Sequence, residues 1–180
     1  MKKFAVIALA LTIGVTCSFA ASLKVPWFVD NAAPNTGLPP TGGSDTFAAT
    51  TTIVYLANTT DTQLDCTIAY YSAEGTFLGP DQNGSDNTFI IDPGATVAFR
   101  PVATDPAEVA TPLGQENPAS GNLIPNRPRD VDTKKNGSIL ITYQGGAADL
   151  GGQVSFFSQG STRSTAFSSA HALIPLFGAI

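Results

Sequence analysis

Thr50-Thr51-Thr52-Ile53-Val54-Tyr55-Leu56-Ala57 is the stretch that decides the fold. Its first six residues are β-branched or aromatic, the side chains that suit a pleated surface. Apolar residues fall on both faces, as in a strand with neighbours on either side. Asn58-Thr59-Thr60-Asp61 follows as a polar turn. In Leu64-Asp65-Cys66-Thr67-Ile68-Ala69-Tyr70, the residues Leu64, Cys66, Ile68 and Tyr70 share one face, so this is a half-buried strand with Cys66 pointing inward. Glu74-Gly75 turns the chain into a short segment at 76–78. A strand at 88–91 leads to the turn Asp92-Pro93-Gly94, with Gly where φ > 0 is wanted, and a return strand at 96–100.

Upstream, Leu23, Val25, Trp27 and Val29 alternate and predict one apolar face of an extended segment. Pro26 confines that segment to an edge or to the first strand of a sheet. Residues 31–44 are rich in Pro and Gly and predict a long loop. Downstream, periodicity stops from 103 to 133. Pro106, Pro112, Pro118, Pro125 and Pro128 mark this as a second long loop, expected on the surface. Alternation resumes at 138–143 with Ile139, Ile141 and Tyr143. Gly145-Gly146 to Gly151-Gly152 is expected to form a flexible turn. Short strands at 154–157, 165–167 and 172–174 complete the set. Short strands, turn signals and no helical period predict an all-β chain, a two-sheet antiparallel sandwich with a barrel as the alternative, forming one domain over 21–180.

Asn58-Thr59-Thr60, Cys66-Thr67-Ile68-Ala69-Tyr70-Tyr71 and Asn87-Thr88-Phe89-Ile90-Ile91-Asp92-Pro93-Gly94-Ala95-Thr96-Val97 resemble the middle strands of immunoglobulin-like sandwich modules in exported bacterial proteins. The resemblance covers residues 50–100. It implies a fold and carries no function, because the matching residues are turns and strands.

Met1-Lys2-Lys3, an apolar run to Val15 and a Ser18-Phe19-Ala20 end have the form of a secretory signal peptide. Cleavage is expected after Ala20, making residues 1–20 a removed segment and placing the product in a periplasm or outside the cell. Lipid attachment at Cys17 is the rival reading; Gly14 and Thr16 stand where a lipid box wants Leu and a small residue. The apolar run is shorter than the ~20 residues that span a bilayer, and no later stretch is long enough. Nine basic residues face fourteen acidic ones, and Lys2 and Lys3 leave with the signal. An acidic chain argues against nucleic acid and anionic lipid as partners. Cleavage also removes Cys17. Cys66 then stands alone, and an internal disulfide is ruled out.

Chemistry-bearing residues are few. His171 is the sole histidine, and no Gly-x-Ser-x-Gly elbow accompanies it. A thiol dyad with Cys66 would need that cysteine exposed, against its inward pattern. One histidine and one inward cysteine are too few for a zinc site. Asp81, Asn83, Ser85 and Asp92 follow the spacing of a calcium loop, but Asp86 stands where that loop needs Gly. Turn chemistry accounts for the same letters. Asp130 and Asp132 lie among Arg129, Lys134 and Lys135, as in a salt-bridged turn. No catalytic residue, cofactor or metal is therefore expected.

The reading that follows is a non-catalytic structural or surface-interaction module of a cell envelope or extracellular matrix. Its partner would be a protein or another copy, and Trp27, Arg127 and Arg129 are the interaction candidates. The alternative is a filament subunit assembled by strand exchange through an apolar end, either 23–29 or 173–180. The deciding observation is whether Trp27 is buried in its own core or left for another molecule.

Overall fold

The computed structural model describes residues 20–31, 49–80, 87–101, 103–104, 115–116, 123–128, 135–159, 166–173 and 175–176. These residues contain strands and no helix. In chain order the strands are β1 (Ala20–Val29), β2 (Ala49–Asn58), β3 (Leu64–Ser72), β4 (Phe77–Gly79), β5 (Thr88–Ile91), β6 (Thr96–Phe99), β7 (Ala103–Thr104), β8 (Gln115–Glu116), β9 (Arg127–Pro128), β10 (Asn136–Gln144), β11 (Leu150–Gln159), β12 (Ala166–Leu173) and β13 (Pro175–Leu176).

They form a two-sheet antiparallel sandwich. The first sheet runs β13-β1-β10-β3-β4, with β5 also paired to β3, and the second runs β12-β11-β2-β6-β8. β7 and β9 make a small parallel pair apart from both. The stretch that opened the sequence reading is β2. It lies between β11 and β6, and its residues 51–54 are all buried, as a strand apolar on both faces should be.

Alternating residues from both sheets meet in one core. Leu23, Val25, Ile68, Tyr70, Ile139 and Ile141 come from the first sheet, and Val54, Leu56, Val97, Phe99 and Val154 from the second. Burying each of these side chains contributes roughly 1.5–3 kcal/mol, offset by the entropy of ordering the chain. Cys66 takes the inward place its alternation predicts. It is 1% exposed, and its thiol lies 3.8 Å from the Leu64 carbonyl.

Two local expectations are corrected. Gly151 and Gly152 belong to β11, and the turn closes earlier. The Gly146 amide donates to Asp149 Oδ2 (2.7 Å), and the Asp149 amide donates to the Gly146 carbonyl (3.0 Å). Glycine reads as a breaker, yet Gly151 and Gly152 sit in unbroken register with Ala57 and Leu56. The segments expected at 165–167 and 172–174 are largely one strand, β12, in continuous register with β11. Its Ser168, Ser169 and Ala170 have little apolar content, so periodicity does not reveal them.

The segment 103–133, expected as a surface loop, also reaches the interior. Ile124 belongs to the core cluster, and Arg127 is fully buried. Two-residue strands leave no alternation to count, and that is why the sequence hides them. Of the loop expected at 31–44, only Asn31 lies within the described residues.

Candidate interaction surface

The candidate surface begins with a register shift in β1. Val25 pairs with Ile139 and Phe28 with Gly137, so three steps on β1 match two on β10. This is a β-bulge, and Pro26 and Trp27 together oppose Ser138. Pro26 suits the place because it has no N–H to offer and, among the described residues, β13 pairs with β1 at Ser22 and Leu23, short of Pro26. The extra residue reverses the alternation. Phe28 enters the core, while Trp27 is 44% exposed. The expected face of Leu23, Val25, Trp27 and Val29 therefore holds only as far as Val25. Two-residue periodicity cannot foresee an inserted residue.

Trp27 does not stand alone. Ser138 pairs with Tyr71, and Tyr71 pairs with Phe77. The row Trp27, Ser138, Tyr71, Phe77 thus crosses β1, β10, β3 and β4 on the outer face of the first sheet. Phe77 is 41% exposed and its ring meets that of Tyr71 edge-on at 5.8 Å. Further along the strands, Leu140 and Ala69 pair as the next outward row. Beyond them Ser22, Thr142, Thr67 and Thr88 form a row of hydroxyls. Tyr71 and Phe77 were missed in sequence. The signal was present in part, since Tyr71 falls opposite the inward set of Tyr70.

Beneath the bulge lies a buried polar corner. β1 leaves the first sheet at Asp30, which bridges to Thr51 of the second. Arg100 Nη2 donates to Asp30 Oδ1 at 2.8 Å, and the Thr51 hydroxyl donates to the same oxygen at 2.8 Å. Both charged side chains are nearly inaccessible, so the pair is enclosed. The second buried cation, Arg127, stacks its guanidinium 4.6 Å above the Phe28 ring and 5.8 Å from that of Tyr70. Tyr70 donates its hydroxyl to the Pro125 carbonyl at 3.0 Å. Burial pushes the Tyr70 hydroxyl pKa up, Arg127 pulls it back and Asp30 adds to the rise. Arg127 therefore pins the segment 123–128 against the first sheet, and its expected place on an interaction surface is corrected. Its flat cation finds two rings to cover, contacts that arise only when β1, β3 and β9 meet.

The remaining candidates divide as follows. Arg129, Asp81, Asn83 and Ser85 lie outside the described residues. Asp92 is exposed in its turn, and its carbonyl accepts from the Ala95 amide (3.0 Å) and from Asn58 Nδ2 (3.0 Å). Among the described residues, no group of three His, Cys, Asp or Glu is placed to hold a metal ion. His171 pairs through β12 with Val154 of β11. Burial first, and then the charge of Asp65, push the Cys66 thiol up to about 12. A groove of about 320 Å³ borders Cys66, between Asp65, Thr88, Phe89 and Gln144. A thiol so raised stays protonated at neutral pH and makes a poor nucleophile.

No protein-family model matches the chain, and no curated protein matches it either. Among solved structures, the crystal structure of Thermotoga maritima 1070 is similar with a TM-score of 0.44 and 12% sequence identity, over 92% of this chain and 100% of that one. At that score the likeness assigns neither fold nor function.

Proposed function

We propose that this chain is an exported, non-catalytic surface-interaction module of a cell envelope or extracellular matrix, and that it binds through the outer face of its first sheet. One observation carries this reading: Trp27 falls in one row with Tyr71 and Phe77, across β10, on the outer face of the first sheet. Trp and Tyr dominate binding energy where surfaces meet. An exposed apolar patch of this kind marks an interaction site more often than chance. The non-catalytic half rests on Cys66, whose burial and raised pKa remove it as a nucleophile. Export rests on the N-terminal sequence, and intact mass from an exporting host should give a chain beginning at Ala21. Retention of the first 20 residues, or lipid on Cys17, would sink that part. Binding of the mature protein to an envelope or matrix fraction should fall with Trp27→Ala and Tyr71→Ala. Unchanged binding in both variants would sink the surface assignment.

A second reading, the filament subunit, is favoured by one pairing. The two apolar ends named from sequence meet in β13 and β1, at Ser22 with Leu176 and Leu23 with Pro175. So short a pairing is the kind copies exchange at low cost. Electron microscopy of the mature protein separates the two, since only this reading yields fibres. Immunoglobulin-like kinship is likewise a proposal. β2 beside β6 and β3 beside β10 support it, as the second–fifth and third–sixth strand neighbours of such domains. β1 beside β10, in place of β2, and β11 beside β2, in place of β10, depart from that order.

A further inference from the structure

We infer that the outer face of the first sheet seats an uncharged polysaccharide, a proposal that rests on the surface reading above and names its ligand class. The aromatic row runs across the strands. Trp27 and Tyr71 are separated by two strand spacings, ~10 Å, with only the small Ser138 between them. Beyond Ser138 the Tyr71 and Phe77 rings meet edge-on at 5.8 Å, so three aromatic side chains follow one another across the strands. The C–H faces of pyranose rings pack on aromatic rings, since the electron-rich ring face attracts weakly positive hydrogens.

Parallel to that row, ~14 Å along the strands, Ser22, Thr142, Thr67 and Thr88 offer hydroxyls that both donate and accept. Leu140 and Ala69 form a low apolar floor between the two rows, with Ala69 buried. Lys24 is the one charged side chain within these three rows. One cation in the middle row is too little to favour a charged partner, and a neutral polyol needs no charge at all.

The three rows form a strip about 20 Å wide and long by strand spacing and rise, a breadth that suits a narrow polymer chain. A second copy on the same face is an outcome that the test below separates.

The test is depletion of the mature protein from solution by microcrystalline cellulose, chitin and starch, with alginate as the charged comparison. Retention by at least one neutral polymer, unchanged at high salt, is the expected result. Trp27→Ala and Phe77→Ala, each with an unaltered melting curve, should weaken that binding about tenfold. No retention by any neutral polymer, or retention by alginate alone, overturns the polysaccharide. Two further measurements then tell its failure from that of the surface reading. If Trp27→Ala removes self-association in sedimentation velocity, or binding to an envelope protein, the surface reading stands and the ligand class is wrong. If no variant of this face alters any of these interactions, both proposals fall.

Discussion

Trp27 and Phe28 are neighbours in sequence and end in opposite environments. Trp27 joins an open row on the outer sheet face, 44% exposed, while Phe28 lies in the core under the Arg127 guanidinium. One bulge makes the difference. It places two regions back to back: an outer face without a charge pair in its aromatic row, and an inner corner holding two buried arginines. The contrast teaches where each kind of energy is used. Inside, charges are held in contacts whose loss leaves a group stranded away from water. Outside, Trp27 and Phe77 keep nearly half of their surface open to water.

That division can be broken by substitution. Arg100→Ala should have the largest effect, because it strands the Asp30 carboxylate that now accepts from Arg100 at 2.8 Å. Breaking a buried ion pair on one side costs about 3–5 kcal/mol. Urea unfolding giving less than 1 kcal/mol, on the order of a surface pair, would show that water reaches the corner. Arg127→Ala should follow at about 2–3 kcal/mol, since it removes a desolvated cation from two rings and the stem that packs there. The same variant should expose the segment around Pro125 to protease, and resistance equal to wild type would argue against the pinning role.

Cys66→Ser should cost about 1–3 kcal/mol by burying a hydroxyl in place of the thiol. Native Cys66 should resist thiol reagents and react once unfolded. The raised thiol also sets a pH dependence. As pH rises from 9.0, the unfolded chain releases its thiol proton while the folded chain holds it to about 12. The unfolded state then binds fewer protons, so stability is whole below pH 9.0 and is lost on the way to about 12. A Cys66→Ala variant should show a smaller loss in melting curves across the alkaline range, keeping the part due to the raised Tyr70 and Tyr143 hydroxyls. Trp27→Ala sharpens the comparison from the other side. It should cost about 1 kcal/mol or less, since 44% of Trp27 is already exposed. A larger loss in thermal unfolding would place Trp27 among the residues that hold the fold.

The legible part of this protein is the part with repetition. Leu64, Cys66, Ile68 and Tyr70 declare their face four times over, and Ile139, Ile141 and Tyr143 do so three times. The bulge at Pro26 and Trp27 shifts the alternation once, at a single residue, so no count along β1 predicts it. Arg127 was named as a residue of interest, but for the wrong environment. A charged side chain in a Pro-rich stretch reads as exposed, and only the Phe28 and Tyr70 rings supply its buried seat. Of the aromatic row, Trp27 was named from sequence, whereas Tyr71 and Phe77 were not. Their common row depends on the pairings of β1, β10, β3 and β4, which the chain order does not contain.

What the sequence determined by itself is therefore the all-β class, most strand positions, the central place of β2 and the inward face of Cys66. These are local consequences of side-chain shape and two-residue alternation. Tertiary structure alone decided the sheet order, the bulge that turns Trp27 outward, the enclosure of Asp30, Arg100 and Arg127, and the row on the outer face. Each depends on which strands become neighbours, and that choice is made by the packing of the whole core.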